Sequence, residues 1–496
     1  MKKWYVTLLL VCAAAFLLAA LISLGIFERI PHVEDEAAYL FQAQVFAQER
    51  LSVPTPPYPS AYWSPFVVDY QGQRFGKYPP GYPLLLSLGV RLGQPWAVNA
   101  LLGALSLWFI AQLGRHIYSP TAGLLAAALG LTCPVFLAMS GTLLSHPASL
   151  FFTVLFLWAL ARWLGGAVTP GVSGAGALLP GYAALAGLAL GCLLITRPYD
   201  ALAVGLPFGL YVLARGLRGE RRLLGQGMIT AGVVLLFGLL LLAYWHRLTG
   251  EFANPYRLVW PYDRPGFGPD VGAQGHTLAD GLRNTRLNLR TLATGWLGWP
   301  GLLNLLFLWA PFIWRPRERW NYLLLAGFVS VVDLHIAYWY YGGRDAGFPR
   351  YYYPALPMLL LLTGRGIEAA SHALGRLSRR ALTGMPIYLA LAALVLYSSL
   401  AFLPPQLSVY RGKYGITAAP LRVAQDAGLT NALVFVTGVE RWYDFAVFFA
   451  ANSPTLDSEV VYAIYRNQAH AQAVKASFPQ RRCSVQTENR LLPCDF

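Results

Sequence analysis

His32-Val33-Glu34-Asp35-Glu36-Ala37-Ala38-Tyr39 follows closely on a long apolar run and sets three consecutive carboxylates at the head of a helix-like segment. Acids this dense repel one another and are costly to cover. At a membrane surface they are kept where a cation, a proton or a polar substrate uses them. One or two acids would be explained by the positive end of a helix dipole; three exceed what the dipole asks for. The next residues set Ala37, Tyr39, Leu40, Phe41, Val45 and Phe46 against Gln42, Gln44, Gln48 and Glu49. That is the pattern of a helix lying in the membrane interface.

The chain around this stretch is 496 residues long, 56% hydrophobic and only 12% charged, too apolar for an ordinary soluble enzyme. Its net charge of +15 raises nucleic acid as a partner. The basic residues are scattered over loops, however, with no basic tract interleaved with aromatics, which excludes that class. The 15 Trp and 28 Tyr suit interfacial belts and sugar-stacking surfaces alike.

Apolar runs of roughly 18 to 25 residues are long enough to cross a bilayer as helices, and about eleven occur. They cover 4–27, 95–115, 121–139, 147–163, 181–195, 200–214, 227–245, 297–314, 322–341, 352–366 and 384–403. The expected class is an all-α polytopic membrane protein with added interfacial helices. The first run lacks a small-residue cleavage site at Phe27-Glu28-Arg29 and is expected to be a retained span. With the N-terminus inside, the inner loops collect Arg115, Arg215, Arg218, Arg221, Arg222, Arg315, Arg317, Arg319, Arg365, Arg376, Arg379 and Arg380, as the positive-inside rule requires. The stretch 165–180, rich in Gly, Ala and Pro, reads as a flexible inner loop.

An odd number of spans places the tail outside. There the polar-segment cysteines Cys483 and Cys494 could form a disulfide, whereas Cys12, Cys133 and Cys192 fall in apolar runs. The division expected is a transmembrane domain over 1–403 and a small α/β extracytoplasmic appendage over 404–496, with strands at 432–436 and 460–465.

The same orientation puts four further groups beside the acids. Gly76-Lys77-Tyr78-Pro79-Pro80-Gly81-Tyr82-Pro83 is a rigid turn holding one cation, either for a phosphate or as a snorkelling interfacial lysine. The outer loop 246–296 carries Asp263, His276 and several arginines and asparagines, which could bind substrate hydroxyls or tie the loop to its neighbours. Gly343-Arg344-Asp345 and Pro349-Arg350-Tyr351 bring two arginines, whose planar forks suit phosphate. Arg197 lies at the same depth, with Asp200 available to neutralise it. His146, in Leu144-Ser145-His146-Pro147, could be a base, a metal ligand or an ordinary polar contact. Asp333 is an acid inside an apolar run. No Gly-rich phosphate loop, His-Glu-x-x-His or cysteine-rich metal spacing occurs.

One span, then Asp35-Glu36-Ala37-Ala38-Tyr39, an interfacial helix, Lys77-x-Pro79-Pro80 and, downstream, Pro349-Arg350-Tyr351-Tyr352-x-Pro354 resemble the GT-C superfamily of membrane glycosyltransferases. The likeness is to the family 39 protein mannosyltransferases and the bacterial lipid A aminoarabinose transferases, and it extends to about residue 403. It implies transfer from a polyprenyl-phosphate sugar to a lipid, glycan or protein acceptor at the outer face of a bacterial inner membrane. The catalytic carboxylate of the first outer loop falls on Asp35, with Glu36 beside it. Where many relatives carry an acid after the third span this chain has His146, which leaves the acceptor and the metal requirement open.

The chemistry agrees with the residues. Asp35 would take the acceptor proton as the hydroxyl attacks the anomeric carbon, with Lys77, Arg344 and Arg350 stabilising the departing phosphate. A monophosphate leaving group needs no obligatory cofactor, and a divalent cation stays optional. Glu34, Tyr39, His146, Arg197 and His276 complete the candidates for substrate contact. The competing readings are a transporter, with an ion route through Asp333, Arg197 and the outer acids, and a non-catalytic binder of a lipid-linked sugar.

Overall fold

The computed structural model describes residues 2–165, 180–345, 347–377, 385–487 and 490–495. The expected inner loop 165–180 lies almost wholly outside the described residues, as do Arg379 and Arg380. Helix α1 (Lys2–Gly25) leads through a short turn into α2 (Glu34–Ala47). A small antiparallel sheet follows, of β1 (Val53–Pro54), β2 (Val67–Tyr70) and β3 (Gln73–Gly76), in the order β1-β3-β2. Gln71 and Gly72 have φ of 49° and 76°, which closes β2 onto β3 as a two-residue hairpin.

Nine helices come next. They are α3 (Gly81–Arg91), α4 (Trp96–Ile117), α5 (Pro120–Thr132), α6 (Pro134–Ser140), α7 (His146–Trp163), α8 (Pro180–Thr196), α9 (Pro198–Leu217), α10 (Arg221–Thr249) and the single turn α11 (Tyr256–Val259). After α12 (Leu278–Gly295), α13 (Ala310–Trp314) and α14 (Arg319–Ile336), a ribbon of β4 (Arg344–Asp345) and β5 (Phe348–Pro349) enters a 3-10 turn, Arg350–Ala355. Helices α15 (Leu356–Leu377), α16 (Met385–Tyr397) and α17 (Leu403–Ser408) complete this part. In the bundle, α4 packs on α1, α5 and α7, while α8 packs on α7 and α10.

Among the described residues, five helices are long and apolar enough to cross a membrane: Lys2–Gly25, Trp96–Ile117, Pro198–Leu217, Arg221–Thr249 and the combined Met385–Ser408. The pair α5 and α6 would make a sixth, but it bends by 66° at the break before Pro134, where proline lacks an N–H and crowds the preceding turn. The expected runs 147–163, 181–195, 322–341 and 352–366 fall largely on the helices α7, α8, α14 and α15. The run 297–314 is not one helix: Pro300-Gly301 and Pro311 divide it into a 3-10 turn at Gly301–Leu305 and the short α13. Leu9, Leu10, Leu17 and Leu21 on α1, and Leu235, Leu236, Leu239 and Leu240 on α10, are exposed. Leaving such a surface in water would forfeit about 25 cal/mol per Å², so its natural solvent is lipid. The chain is an integral membrane protein.

Three expectations change. Residues 246–296 are not an open loop: α10 continues to Thr249, and α12 begins at a capping box in which Thr277 and Asp280 satisfy each other's backbone. Helix α12 then crosses α14 so closely that a Cβ on Gly281 would lie 2.1 Å from Ile336 O. Second, α2 does not lie open in the interface. Ten of its residues are buried, including Gln42, which donates to Leu51 O at 2.9 Å and accepts from Gly76 N at 2.7 Å. Third, Arg365 is no loop residue. It sits inside α15 between Glu318 at 2.9 Å and Glu368 at 2.5 Å.

Helix α2 packs on α3 and β3, and the C-terminal residues add further cover. Helix α18 (Ala419–Asp426) precedes β6 (Ala432–Val436), α19 (Trp442–Ala451), β7 (Val460–Ile464), α20 (Gln468–Ala476), β8 (Arg482–Thr487) and β9 (Arg490–Pro493). The sheet runs β7-β6-β8-β9, with β6 parallel to both β7 and β8 and β9 antiparallel to β8. Phe449 of α19 lies 5.8 Å from Phe41 of α2, and Ala418 N donates to Glu28 at 2.8 Å. A disulfide joins Cys483 and Cys494 across β8 and the end of β9.

Candidate active site

The three carboxylates point to different surroundings because successive helical positions turn by about 100°. Glu36 faces inward and is 2% exposed; it accepts from His32 N at 2.7 Å and from Leu143 N at 2.8 Å. It therefore ties the α6–α7 connection to α2, and burial pushes its carboxyl up to about 7. Asp35 is half-buried and receives the Tyr78 hydroxyl. Glu34, also half-buried, has its carboxyl raised by burial and by Asp35, and lowered by Arg350 and Lys77.

Lys77 reaches this cluster through the hairpin. The register Val67↔Gly76 ends the β2–β3 pairing one residue before it, and Arg74 braces that pairing by binding Asp69 at 2.9 Å. Gly76 lies against α2: a Cβ there would be 3.1 Å from Ala38 O and 3.2 Å from the Gln42 Cβ. Lys77 is 3% exposed and sits in an aromatic box, its Nζ 3.4 Å from the Phe66 ring centre and 4.4 Å from that of Tyr256. Asp263 approaches Nζ at 3.9 Å and in turn receives Trp339 Nε1 at 3.0 Å and the Tyr338 hydroxyl at 3.1 Å. Burial lowers the ammonium to about 8, against the opposing pull of Asp35, Asp263 and Glu34.

Arg350 donates from Nε to Gly342 O at 3.1 Å, and its guanidinium lies 5.8 Å from the Tyr351 ring. Arg197 approaches the same ring at 5.8 Å. It binds Asp200 at 2.6 Å and Ser145 Oγ at 3.2 Å, and Ser149 donates to Asp200 at 2.7 Å. Tyr39 meets Ser145 Oγ at 2.9 Å and stacks on Tyr78 with ring centres 4.4 Å apart. His146, buried at the start of α7, lies 6.2 Å from the Tyr353 ring.

Asp35, Tyr39, Lys77, Arg197 and Arg350 are thus linked through Tyr78, Ser145 and the Tyr351 ring, while Glu34 and His146 join them through charge alone. His276 is placed otherwise, its Nε2 at 3.0 Å from Ile336 O and its ring stacked on Phe267, where it fastens the segment before α12. Of Arg344 only the backbone, paired with Pro349, is described. Asp333 is on the exposed face of α14. Tyr78 and the aromatic box were not among the expected site residues, and Asp263, expected as a hydroxyl-binding or loop-tying residue, faces Lys77 instead. Tyr78 stands within the Lys77-Tyr78-Pro79-Pro80 motif, whereas the box is assembled from distant segments that no local pattern joins. Among the described residues no three His, Cys, Asp or Glu side chains gather into a metal-ligand set.

No protein-family model matches the chain, and no curated protein matches its sequence. Solved structures do share its shape. ArnT from Cupriavidus metallidurans, crystallised bound to undecaprenyl phosphate, matches 98% of this chain and 94% of its own length, with a TM-score of 0.60 at 14% identity. Its apo crystal structure matches 97% of this chain and 89% of its own, with a TM-score of 0.57 at 15% identity. The oligosaccharyltransferase AglB from Archaeoglobus fulgidus, in complex with an inhibitory peptide and a dolichol-phosphate, matches 98% of this chain and 69% of its own. Its TM-score is 0.54 at 14% identity. Identity this low speaks for shape alone: the chain shares the fold of these solved structures.

Proposed function

We propose that the protein transfers a sugar from a polyprenyl-phosphate donor to an acceptor hydroxyl at the outer face of the inner membrane. The observation that carries this reading is one carboxylate, Asp35, held by Tyr78 on a layer that also contains Lys77 and Arg350. A base and fixed cations are what displacement of a phosphate from an anomeric carbon needs. Similarity in shape to a protein crystallised with undecaprenyl phosphate supports the lipid carrier.

In the reaction, Asp35 accepts the proton of the acceptor hydroxyl while its oxygen forms a bond to the anomeric carbon. The bond from that carbon to the phosphate oxygen breaks, and its electron pair leaves with the polyprenyl phosphate. Lys77 and Arg350 neutralise the charge that develops. A single displacement inverts the anomeric centre. Glu36, with both oxygens occupied, acts here as a positioning residue for the helix that carries Asp35. The residues after α17, from Ala419 onward, form an outer unit against α2, with the N-terminus on the opposite, cytoplasmic side.

The test is transfer from radiolabelled polyprenyl-phosphate hexoses and pentoses in membranes holding wild type or Asp35→Asn. Wild type is expected to move label to a new acceptor, and the variant to lose about 10²–10⁴-fold in rate while still binding donor. Undiminished transfer by Asp35→Asn would remove Asp35 as the base. No transfer from any donor by folded wild type would sink the transferase reading.

A further inference from the structure

His146 is 3% exposed, yet among the described residues neither Nδ1 nor Nε2 has a hydrogen-bond partner. A buried polar atom left in that state is costly, and here one side chain carries two. The surroundings are not those of an idle core residue. The charges acting on the ring are Arg197 and Arg350. Ser145, its neighbour in sequence, joins Tyr39 at 2.9 Å and Arg197 at 3.2 Å. Tyr39 in turn stacks on the Tyr78 ring whose hydroxyl meets Asp35. Three contacts therefore link the residue beside His146 to the base.

The missing partner has a definable chemistry. Burial and the charges of Arg197 and Arg350 all disfavour an imidazolium, which leaves the neutral ring as the favoured form. A neutral imidazole offers one N–H donor and one lone-pair acceptor. A phosphate or carboxylate could only accept, leaving the second nitrogen unpaired, and a metal ion on the lone pair would face both guanidinium charges. A hydroxyl both donates and accepts, and two sugar hydroxyls satisfy both nitrogens.

We propose that His146 is a specificity-determining residue that binds hydroxyl groups of the donor sugar, while Lys77 and Arg350 hold the phosphate. This rests on the polyprenyl-phosphate reading above. It gives the site two separable parts, a cationic one for the lipid phosphate and a neutral one for the sugar.

Binding to the purified full chain separates the two. Undecaprenyl phosphate and a panel of undecaprenyl-phosphate hexoses and pentoses would be titrated against wild type, His146→Phe and His146→Asn. Thermal unfolding would identify any variant that does not fold. Wild type is expected to bind at least one glycosylated lipid about tenfold tighter than undecaprenyl phosphate, the worth of one to two hydrogen bonds. His146→Phe is expected to bind undecaprenyl phosphate as wild type does and to lose that tenfold preference. His146→Asn, which keeps a donor and an acceptor, should recover part of it. If His146→Phe does not fold, His146→Asn carries the comparison, with an altered order of preference among the sugars as its expected signature. A preference unchanged in every folded variant, or no preference in wild type, overturns the role of His146 and leaves the lipid-phosphate site standing. Failure of wild type to bind undecaprenyl phosphate overturns the donor reading and this proposal with it.

Discussion

At the residue scale, the two ionisable groups near Asp35 each lose a contribution as pH rises, in different pH windows. Glu36 is lifted from an ordinary carboxylate value of 4.5 to about 7 by burial, so between those values the folded protein holds a proton that the unfolded chain has released. Stability therefore falls as pH rises through that window and levels off above 7. Melting of the purified protein in detergent should show this slope. Glu36→Gln should flatten it and lower stability throughout by about 1–3 kcal/mol, because an amide N–H₂ would face one of the two backbone donors. Lys77 acts on phosphate binding instead, in a higher window. Its ammonium, lowered from 10.5 to about 8, is present below that pH and is lost as pH rises through it. Binding of undecaprenyl phosphate should weaken above about pH 8. Asp263→Asn removes a charge that holds the ammonium protonated, so the same decline should begin at lower pH. A titration curve identical in wild type and Asp263→Asn would separate Asp263 from the site.

At the element scale, the placement of Lys77 depends on how closely the β2–β3 hairpin rests on α2, and Gly76 is the contact. The nearest atoms to a Cβ there are backbone Ala38 O at 3.1 Å and the Gln42 Cβ at 3.2 Å, neither of which belongs to a flexible side-chain end. Gly76→Val should push the hairpin off the helix and Lys77 away from Asp35, at a cost to the proposed transfer of about tenfold to a hundredfold. Gly76→Ala should cost less, and rates equal to wild type for both would show the hairpin to be adjustable. These elements differ in how far they could be read in advance. The Asp35 turn, the Lys77 motif and the strand at 432–436 carry local patterns: clustered acid, proline rigidity and a short β-branched run. The hairpin turn at Gln71-Gly72 and the capping box at Thr277 and Asp280 are equally local signals, but they fall in segments whose polarity suggests loop. The aromatic box has no local signature, because Phe66, Tyr256 and Trp260 meet only after α10 has returned the chain to the hairpin. Part of the burial of α2 likewise comes from α19, some four hundred residues downstream by the numbering, and hydrophobic periodicity reports no such partner.

At the scale of the whole molecule, sidedness decides whether the proposed chemistry meets the correct compartment, and two structural features tie it to one measurement. Helix α19 packs on α2 through Phe449 and Phe41, so the C-terminal sheet and Asp35 lie on the same side of the membrane. That sheet carries the Cys483–Cys494 disulfide, which closes a sequence separation of 11. Such a bridge persists in an oxidising compartment and is worth about 3 kcal/mol on a chain-entropy account. The other cysteines give little background: Cys133 is buried, and Cys12 and Cys192 are half-buried within α1 and α8. In right-side-out vesicles, a membrane-impermeant maleimide should therefore label the protein only after an impermeant reductant has been added. The extent should match that in lysed vesicles, and Cys483→Ser with Cys494→Ser should abolish it. Labelling that requires lysis would place the tail, and Asp35 with it, on the cytoplasmic side. The base would then face the wrong compartment for an acceptor outside, whatever the geometry of the site.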